Sequence, residues 1–546
     1  MKNQERFWRV AYLALFLAAL AVAGLHLLTV ADVTFLWTDE LFSWWVAGQQ
    51  SWSGLWQAMY RGSDGMFPAF YVLSWGWIQL VGQSEIVLRL PSLLFTLLGT
   101  LACFAVIRPR WGDAAATLSV GLMVVGNGLL LTQAGQFRGY GMLLGLTGAS
   151  LYLLAALSPD APHRRTLLWA NAATQLLLCL THPFGVLYSA ALGSGRVVAT
   201  ALREKRRWDW GLVWSYLPAA VGLLIWIPGM RAVAQLNVPR GWMAPVTVKD
   251  LGQGLLPPLD VPWGWAALCA GFVGLLVAGA LSRLAPREPE LRRADQDTAI
   301  ILAAAVLGVG PLAWIVSQVA DPLFMPRYLL PSTWAWAILG AVVWSRLART
   351  VTPGAQFAAA TLALVLGCFG LGALHDPQLG DRSSKSPTLL ARLRYERAFA
   401  SGEIDRHYMK ENLPVLIEGL HSFFARDFYN PGKFDYRLVL NRQSALVEGE
   451  DVRGASVETN AALKLRENGL AAEKIMDVSD APAVIEKWPA FYFIDLDERP
   501  TTDRFQSELK GHGWVEEIIC PSLHHPNAGS GVIKKFTRPP GTPLPP

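Results

Sequence analysis

Two adjacent acids, Asp39 and Glu40, stand in the segment FLWTDELFSWWVAGQQSWSGLW, directly after the first long apolar run of the chain. A carboxylate at the edge of a membrane can take a proton from a hydroxyl nucleophile, or it can hold a cation. The structural alternative is an acid in the first turn of a helix, where the helix dipole stabilises it. The pair alone favours neither interpretation.

A second group of candidates is basic and stands mostly at the ends of apolar runs. Its members are Arg61, Arg89, Arg138, His182 and Arg327. An ionisable side chain at membrane depth costs about 2.5–3.5 kcal/mol, so each is a candidate for function. Arg138 and Arg327 suit a phosphate or pyrophosphate, which guanidinium groups bind through paired hydrogen bonds. Structural alternatives are an ion pair of Arg89 with Glu85 one helical turn away, and for His182 a buried histidine with satisfied hydrogen bonds.

Three further candidates stand near these arginines in the chain: Asp64, Tyr140 and Tyr328. A base, a phosphate clamp and an apolar groove together suit a lipid phosphate, whose chain lies in the bilayer while its head group reaches the mouth of the bundle. We predict no metal site and no cofactor, since two adjacent acids without a third oxygen-rich motif do not justify a divalent cation.

Membrane helices are the elements that must position these residues. Of 546 residues, 52% are apolar and only 16% are charged, a balance that excludes an ordinary soluble enzyme. Apolar runs of about 17–25 residues, each long enough to cross roughly 30 Å of hydrocarbon, recur as far as Leu374. About twelve candidate spans follow from these runs: 8–30, 68–83, 88–107, 114–134, 139–157, 166–182, 184–202, 211–229, 262–282, 299–317, 328–345 and 354–374.

The basic residues form short clusters between apolar runs and not one continuous patch, which does not suggest a nucleic-acid binder. Such clusters instead indicate which loops face the cytoplasm. Three clusters, at 203–209, 282–295 and 345–350, are expected on the cytoplasmic side. The N-terminus is then cytoplasmic and the residues after 376 are extracytoplasmic, in a multi-pass protein of the plasma membrane. Twelve spans would return the chain to the cytoplasm, so the expected number is 11–13, with 11 or 13 satisfying this topology.

The predicted fold class is therefore a polytopic α-helical membrane protein with a C-terminal soluble α/β domain. Residues 1–375 form the bundle, including a first extracytoplasmic loop at 31–67 with short interfacial helices. Residues 376–546 form the α/β domain, with a helix at 386–403, strands at 436–440 and 489–498, and a helix at 502–513.

Five sequence blocks resemble, in order and spacing, the GT-C class of integral-membrane glycosyltransferases over about residues 5–375. In particular, they are similar to protein O-mannosyltransferases, lipid A aminoarabinose transferases and their bacterial relatives. The blocks are WTDELFSWWVAG, FPAFYVLSWGWIQLVGQSEIVLRLPSLLFTLLGTLACFAV, QFRGYGMLLGLTGASLYLL, THPFGVLYSAA and PRYLLPS. The sequence departs from the family at Pro68, where relatives have two prolines, and at Gln136, where they have an acid.

The resemblance implies an inverting glycosyltransferase that moves a hexose or pentose from a polyprenyl-phosphate donor to an acceptor on the outer face of the membrane. The role of general base falls on Asp39, with Glu40 as its neighbour. Binding of the donor phosphate falls on Arg138 and Arg327, and less firmly on Arg61. The departures leave the acceptor open among a protein, a lipid and a glycan.

Two other functions compete with this one. A transporter or lipid flippase would place charges at mid-span or in broken helices of paired halves, whereas here the charges cluster at span ends. A bundle without catalytic activity, with the C-terminal domain as an interaction module, would bind the donor without turnover.

Overall fold

The computed structural model describes most of the chain. The described residues are 2–33, 35–60, 66–158, 161–203, 209–236, 246–256, 259, 266–271, 273, 293–319, 324–373, 402–440, 462, 466, 473–477, 488–496, 503–525 and 529–539. They belong to two compact units. The bundle unit comprises 1–32, 66–225 and 245–381, and the C-terminal unit comprises 33–65, 226–244 and 382–546.

Up to residue 373, the regular elements of the described residues are all helical. They are α1 (Lys2–Val33), α2 (Thr38–Ala47), α3 (Trp52–Tyr60), α4 (Pro68–Val81), α5 (Glu85–Trp111), α6 (Asp113–Val125), α7 (Gly128–Ala134), α8 (Tyr140–Ala156), α9 (Arg164–Cys179), α10 (Pro183–Arg203), α11 (Trp210–Ser215), α12 (Leu217–Leu236), α13 (Val248–Leu255), α14 (Arg293–Val319), α15 (Ser332–Leu347) and α16 (Pro353–Ala373). A short 3₁₀ helix, Pro326–Leu329, precedes α15, and another, Ala348–Thr350, follows it.

Six helical segments in the described residues are long and apolar enough to cross a membrane: Asn3–Ala31, Glu85–Trp111, Pro183–Leu202, Trp210–Ala232, Asp295–Val319 and Pro353–Gly370. The pair α6 and α7, bent by 69°, makes a seventh if it is one broken span. The predicted polytopic helical membrane protein is confirmed. Helices occupy eleven of the twelve predicted spans, and the remaining one, 262–282, lies largely outside the described residues.

Helices α5 and α8 lie with their backbones almost in contact. A methyl group added at Gly141 would lie 2.5 Å from the Ser92 carbonyl oxygen, and one at Gly148 would lie 2.7 Å from the Cα of Gly99. Gly141 and Gly145 are four residues apart on α8, the small-residue spacing that lets membrane helices approach closely. This packing fixes the N-terminal end of α8, where Arg138 and Tyr140 lie.

The loop predicted at 31–67 contains the expected short helices, α2 and α3. Both belong to the C-terminal unit. Aromatic side chains at every fourth position of α3 form a continuous stack, with Trp52 and Trp56 5.6 Å apart and Trp56 and Tyr60 5.0 Å apart between ring centroids. Trp226 of α12 adds to this stack, 5.0 Å from the Tyr60 ring.

The rest of the C-terminal unit is a small α/β fold, which confirms the predicted class. Its strands are β1 (Val415–Ile417), β2 (Tyr436–Leu440), β3 (Ile475–Asp477), β4 (Ala490–Leu496), β5 (Val515–His525) and β6 (Gly529–Thr537). The sheet has the order β3-β2-β1-β4-β6-β5, parallel from β3 to β4 and antiparallel at β6 and β5. Its helices are α17 (Glu403–Tyr408), α18 (Leu420–Tyr429) and α19 (Asp503–Gly511).

The predicted strands at 436–440 and 489–498 correspond to β2 and β4, and the predicted helix at 502–513 corresponds to α19. The predicted helix at 386–403 lies almost entirely outside the described residues. Helix α19 packs on an aromatic core of the sheet that includes Phe493, Phe505 and Phe536. The domain boundary at 375/376 stays a prediction.

Candidate functional site

Six side chains from three separate segments meet at the N-terminal end of α8 in the bundle unit. We call them the arginine–aromatic cluster: Arg138, Tyr140, His182, Phe184, Arg327 and Tyr328. The first segment is the start of α8 with the residues just before it, and the second is the start of α10 with the turn before it. The third is the 3₁₀ helix Pro326–Leu329. Five of the six were candidates from the sequence, and the structure brings them together.

Tyr328 lies at the centre of the cluster. Its ring centroid lies 4.8 Å from that of His182, 4.9 Å from that of Phe184 and 6.1 Å from that of Tyr140. The Arg327 guanidinium carbon lies 5.6 Å from the Tyr140 centroid and 5.7 Å from the Tyr328 centroid. These distances are typical of cation–π contacts, which hold the Arg327 side chain against the rings.

Arg138 is held by a tight turn before α8. The Ser92 hydroxyl donates to its carbonyl oxygen at 3.0 Å, and its own N–H donates to the Gln136 carbonyl at 2.8 Å. A methyl group at Gly139 would lie 3.1 Å from the Met66 sulfur, so the Met66 side chain would have to shift by a few tenths of an ångström to accept it. Arg138 is only 6% exposed, which places a cation in the interior of the bundle.

His182 lies in the turn between α9 and α10 and is neutral at pH 7. Burial, and next the charges of Arg138 and Arg327, lower the pKa of its imidazole. The Phe184 N–H donates to Nδ1 at 3.1 Å, so the ring proton of the neutral form is on Nε2. The imidazole is therefore a hydrogen-bond donor that stands within the electrostatic reach of both guanidinium groups.

Two residues of this region were missed by the sequence analysis. Phe184 contacts His182 and Tyr328, and the Tyr188 hydroxyl donates to the Tyr328 carbonyl at 3.2 Å. They are four residues apart in THPFGVLY, so they share one face of α10. That spacing was readable from the sequence, but the partner segment around Tyr328, about 140 residues away, was not.

The N-terminal end of α8 gathers positive charge. A helix N-terminus carries about half a positive charge, which repels a cation and attracts a phosphate. Two arginines nevertheless lie beside the start of α8, together with the His182 N–H. Guanidinium groups bind phosphate oxygens through paired hydrogen bonds, so the cluster has the donors and the charge that a phosphate requires.

Asp39 and Glu40 lie in the first turn of α2, in the C-terminal unit. Glu40 is fully buried, and its Oε2 accepts the backbone N–H of Trp37 at 2.8 Å. Glu40 therefore closes the N-terminal end of α2, as the structural interpretation of the acid pair expects. Asp39 differs in being partly exposed, so its carboxylate can meet a molecule from outside.

The other candidates differ in their placement. Arg89 is buried and donates from Nη1 to the Ala31 carbonyl at 2.8 Å, which ties α5 to the last turn of α1. This contact is structural. Arg61 and Asp64 lie outside the described residues. Among the described residues, no group of three His, Cys, Asp or Glu side chains is arranged to hold a metal ion.

Comparison of the sequence with family models and with curated proteins finds no match. Solved structures are similar. ArnT from Cupriavidus metallidurans bound to undecaprenyl phosphate matches with a TM-score of 0.56 and 15% identity, over 95% of this chain and 97% of that chain. Its apo form matches with the same TM-score and 14% identity. This chain has the ArnT fold.

The GT-C-like fold expected from the sequence is thereby confirmed. The Archaeoglobus fulgidus oligosaccharyltransferase tethered with an acceptor peptide matches more weakly, with a TM-score of 0.41 and 12% identity over 95% of this chain and 74% of that chain. The ArnT likeness extends over nearly the full length of both chains, so it includes the C-terminal unit as well as the bundle unit.

Within this ArnT fold, the C-terminal end of α8 holds a second pair of arginines that the sequence analysis missed. Arg110 of α5 donates to the Ala155 carbonyl at 2.9 Å, and Arg196 of α10 donates to the Leu157 carbonyl. Both contacts satisfy carbonyls that a helix leaves unpaired at its C-terminal end, where the dipole favours a cation. These two arginines have a structural role.

Proposed function

We propose that this protein is an inverting glycosyltransferase that moves a sugar from a polyprenyl-phosphate donor to an acceptor on the outer face of the plasma membrane. The observation that carries the proposal is the arginine–aromatic cluster, which gathers two guanidinium groups and an imidazole N–H at the positive end of α8. The ArnT structure of the same fold is bound to undecaprenyl phosphate, a polyprenyl phosphate of the kind that the proposed donor would release.

The cluster acts on the leaving group. The donor is a phosphate diester with one negative charge, and cleavage of the bond between the sugar and the phosphate oxygen leaves a monoester with a second charge. Arg138 and Arg327 stabilise this developing charge, and the Nε2–H of His182 donates a hydrogen bond to it. Interactions that strengthen as the bond breaks lower the barrier, whereas equal binding of ground and transition states would not.

Asp39 is the proposed general base. The support is its place in the WTDELFSWWVAG motif, which the resemblance assigns to the base, and its partial exposure in the first turn of α2. Its carboxylate takes the proton of the acceptor hydroxyl while that oxygen attacks the anomeric carbon from the side opposite the phosphate. One displacement inverts the anomeric centre, and no covalent sugar–enzyme intermediate forms.

The orientation of the bundle unit supports an outer-face site. Helix α10 begins beside the cluster at Pro183 and is 21 residues long, so that it ends at Arg203, about 30 Å away. The basic segment REKRRWD, starting at Arg203, follows this far end and belongs in the cytoplasm by the positive-inside rule. The cluster then lies toward the extracytoplasmic side, where the acceptor is a glycan, a lipid or a protein.

A transporter or lipid flippase is the competing function, and one observation favours it. Helices α6 and α7 are separated by a 69° bend, and broken helices line the substrate pathway of many transporters. The Asn127 side chain accepts the Leu130 N–H at 2.8 Å and so caps α7, which makes the bend a stable feature. A flippase would move the lipid without cleaving the sugar from its phosphate.

The test uses the purified protein in liposomes with undecaprenyl phosphate carrying labelled glucose, mannose or arabinose, and with lipids and glycans of bacterial envelopes as acceptors. The wild type should transfer label from at least one donor. Asp39→Asn should lower the rate about 10²–10⁴-fold.

The matched control is Glu40→Gln, which keeps an oxygen that accepts the Trp37 N–H and should change the rate no more than a few-fold. Undiminished transfer by Asp39→Asn would overturn the role of Asp39. Lipid movement across the bilayer with no transfer from any donor would favour the flippase.

A further inference from the structure

Within the C-terminal unit, helix α2 packs along α18, the helix that follows strand β1. Four ring pairs join the two segments, with centroid separations of 4.5–5.5 Å: Phe35 with Tyr429, Phe42 with Phe424, Trp45 with Phe424, and Trp44 with Phe428. The Tyr429 hydroxyl also accepts the Leu36 backbone N–H at 2.8 Å. The helix that carries Asp39 therefore rests on an element of the α/β fold.

Helix α18 is itself fixed rigidly to its fold. Arg426 donates two hydrogen bonds to the Asp405 carboxylate, at 2.9 and 3.0 Å, and the Tyr436 hydroxyl of β2 donates to the same carboxylate at 2.6 Å. All three residues are buried. A buried ion pair with this many hydrogen bonds has a single favourable geometry, so α18 is a firm support.

We infer that the α/β fold of the C-terminal unit positions the Asp39 carboxylate for catalysis, with Tyr429 as the principal positioning residue. This inference rests on the proposed function of Asp39 as base. It gives the C-terminal unit a role in the reaction, although none of its α/β residues needs to touch the substrate.

Two consecutive backbone N–H groups before Asp39 explain why Tyr429 is the principal positioning residue. The Leu36 N–H is bound by the Tyr429 hydroxyl and the Trp37 N–H by the Glu40 carboxylate. The second bond is internal to the α2 segment and moves with it. Of these two bonds, the first connects the backbone to α18, so its loss removes a direct hydrogen bond between the segments and lets the start of α2 shift. A shift of about 1 Å in a catalytic group can cost 10²-fold in rate.

The experiment compares Tyr429→Phe with Tyr492→Phe in the full-length protein, since each hydroxyl accepts one backbone N–H. Both remove one hydroxyl and keep the ring, and both lie in the same unit. Tyr429→Phe should lower kcat for sugar transfer about tenfold and leave the KM for the polyprenyl-phosphate donor unchanged. Tyr492→Phe should lower Tm and leave kcat per folded molecule unchanged, because its hydroxyl accepts the Glu411 N–H at 3.2 Å and not an N–H of the α2 segment.

A second measurement needs no catalysis. Hydrogen–deuterium exchange of the backbone amides in residues 36–47 should be faster in Tyr429→Phe than in the wild type and unchanged in Tyr492→Phe. Wild-type kcat together with wild-type exchange in Tyr429→Phe would overturn the inference. Failure of the proposed function would give a different result. The wild type would then transfer no sugar, while the exchange difference between the wild type and Tyr429→Phe would persist.

Discussion

Both ends of helix α8 hold two arginines, but the two pairs have different partners. At the C-terminal end, Arg110 and Arg196 donate to carbonyls of the last turn, where the helix dipole stabilises a positive charge. At the N-terminal end, Arg138 and Arg327 lie with aromatic rings and a neutral histidine, where the same dipole opposes a positive charge. Burial of an arginine in a membrane bundle therefore does not by itself indicate function. We expect the partners of the arginine, and the sign of the charge at the helix end beside it, to distinguish a functional arginine from a structural one.

The largest expected effect is on turnover at the N-terminal end. Arg327→Gln and Arg138→Gln should each lower sugar transfer about 10²–10³-fold, because one donor to a developing oxyanion is lost. Transfer should fall further than the folded fraction does, because the loss includes an interaction with the developing charge and not only contacts such as the cation–π pairs of Arg327. Parallel transfer assays and thermal unfolding in detergent measure both quantities. A large loss of Tm with proportional loss of transfer would place these arginines with the structural pair.

The opposite pattern is expected at the C-terminal end. Arg196→Gln should lower the free energy of unfolding by about 1–3 kcal/mol, because the buried Leu157 carbonyl loses its charged donor. Transfer per folded molecule should be unchanged. Denaturant or thermal unfolding followed by an assay of the folded fraction gives both values. A specific loss of transfer with normal stability would contradict the contrast between the two ends.

A smaller effect concerns pH. Since the folded pKa of His182 lies below its ordinary value of 6.5, the unfolded chain binds more protons than the folded chain between those two pKa values. The stability contributed by neutral His182 is complete above about pH 6.5 and declines as the pH falls toward the folded pKa. His182→Gln should flatten this part of the Tm–pH profile. An unchanged slope below pH 6.5 in His182→Gln would show that other groups produce it.

Much of the fold was predictable because the membrane requires long apolar helices, and these appear in the sequence as long apolar runs. The strands β2 and β4 were predictable from the apolar segments YRLVL and PAFYFIDLDE. Strand β1 was not, since three residues, VLI, carry no period of their own. The same limit applies to β3.

The candidate site was predictable in part, for a related reason. Arg138, Tyr140, His182, Arg327 and Tyr328 were identified as unusual residues near the ends of apolar runs, and each lies in the cluster. Their grouping depends on contacts between α8, α10 and the segment before α15, which no local pattern encodes. The carbonyl-capping role of Arg110 was missed because basic residues near loops suggest topology first. That of Arg196, which lies inside the predicted span 184–202, was missed because its partner carbonyl, Leu157, is 39 residues away in the chain.

The most direct test of the arginine–aromatic cluster as a phosphate site is the binding of undecaprenyl phosphate itself. Native mass spectrometry or calorimetry would compare the wild type with Arg138→Gln, Arg327→Gln and Arg196→Gln in the same detergent. The account predicts at least about a tenfold higher Kd for the two cluster variants, which is the loss of about 1.4 kcal/mol of binding free energy, and an unchanged Kd for Arg196→Gln. Equal affinity in all four proteins would contradict it.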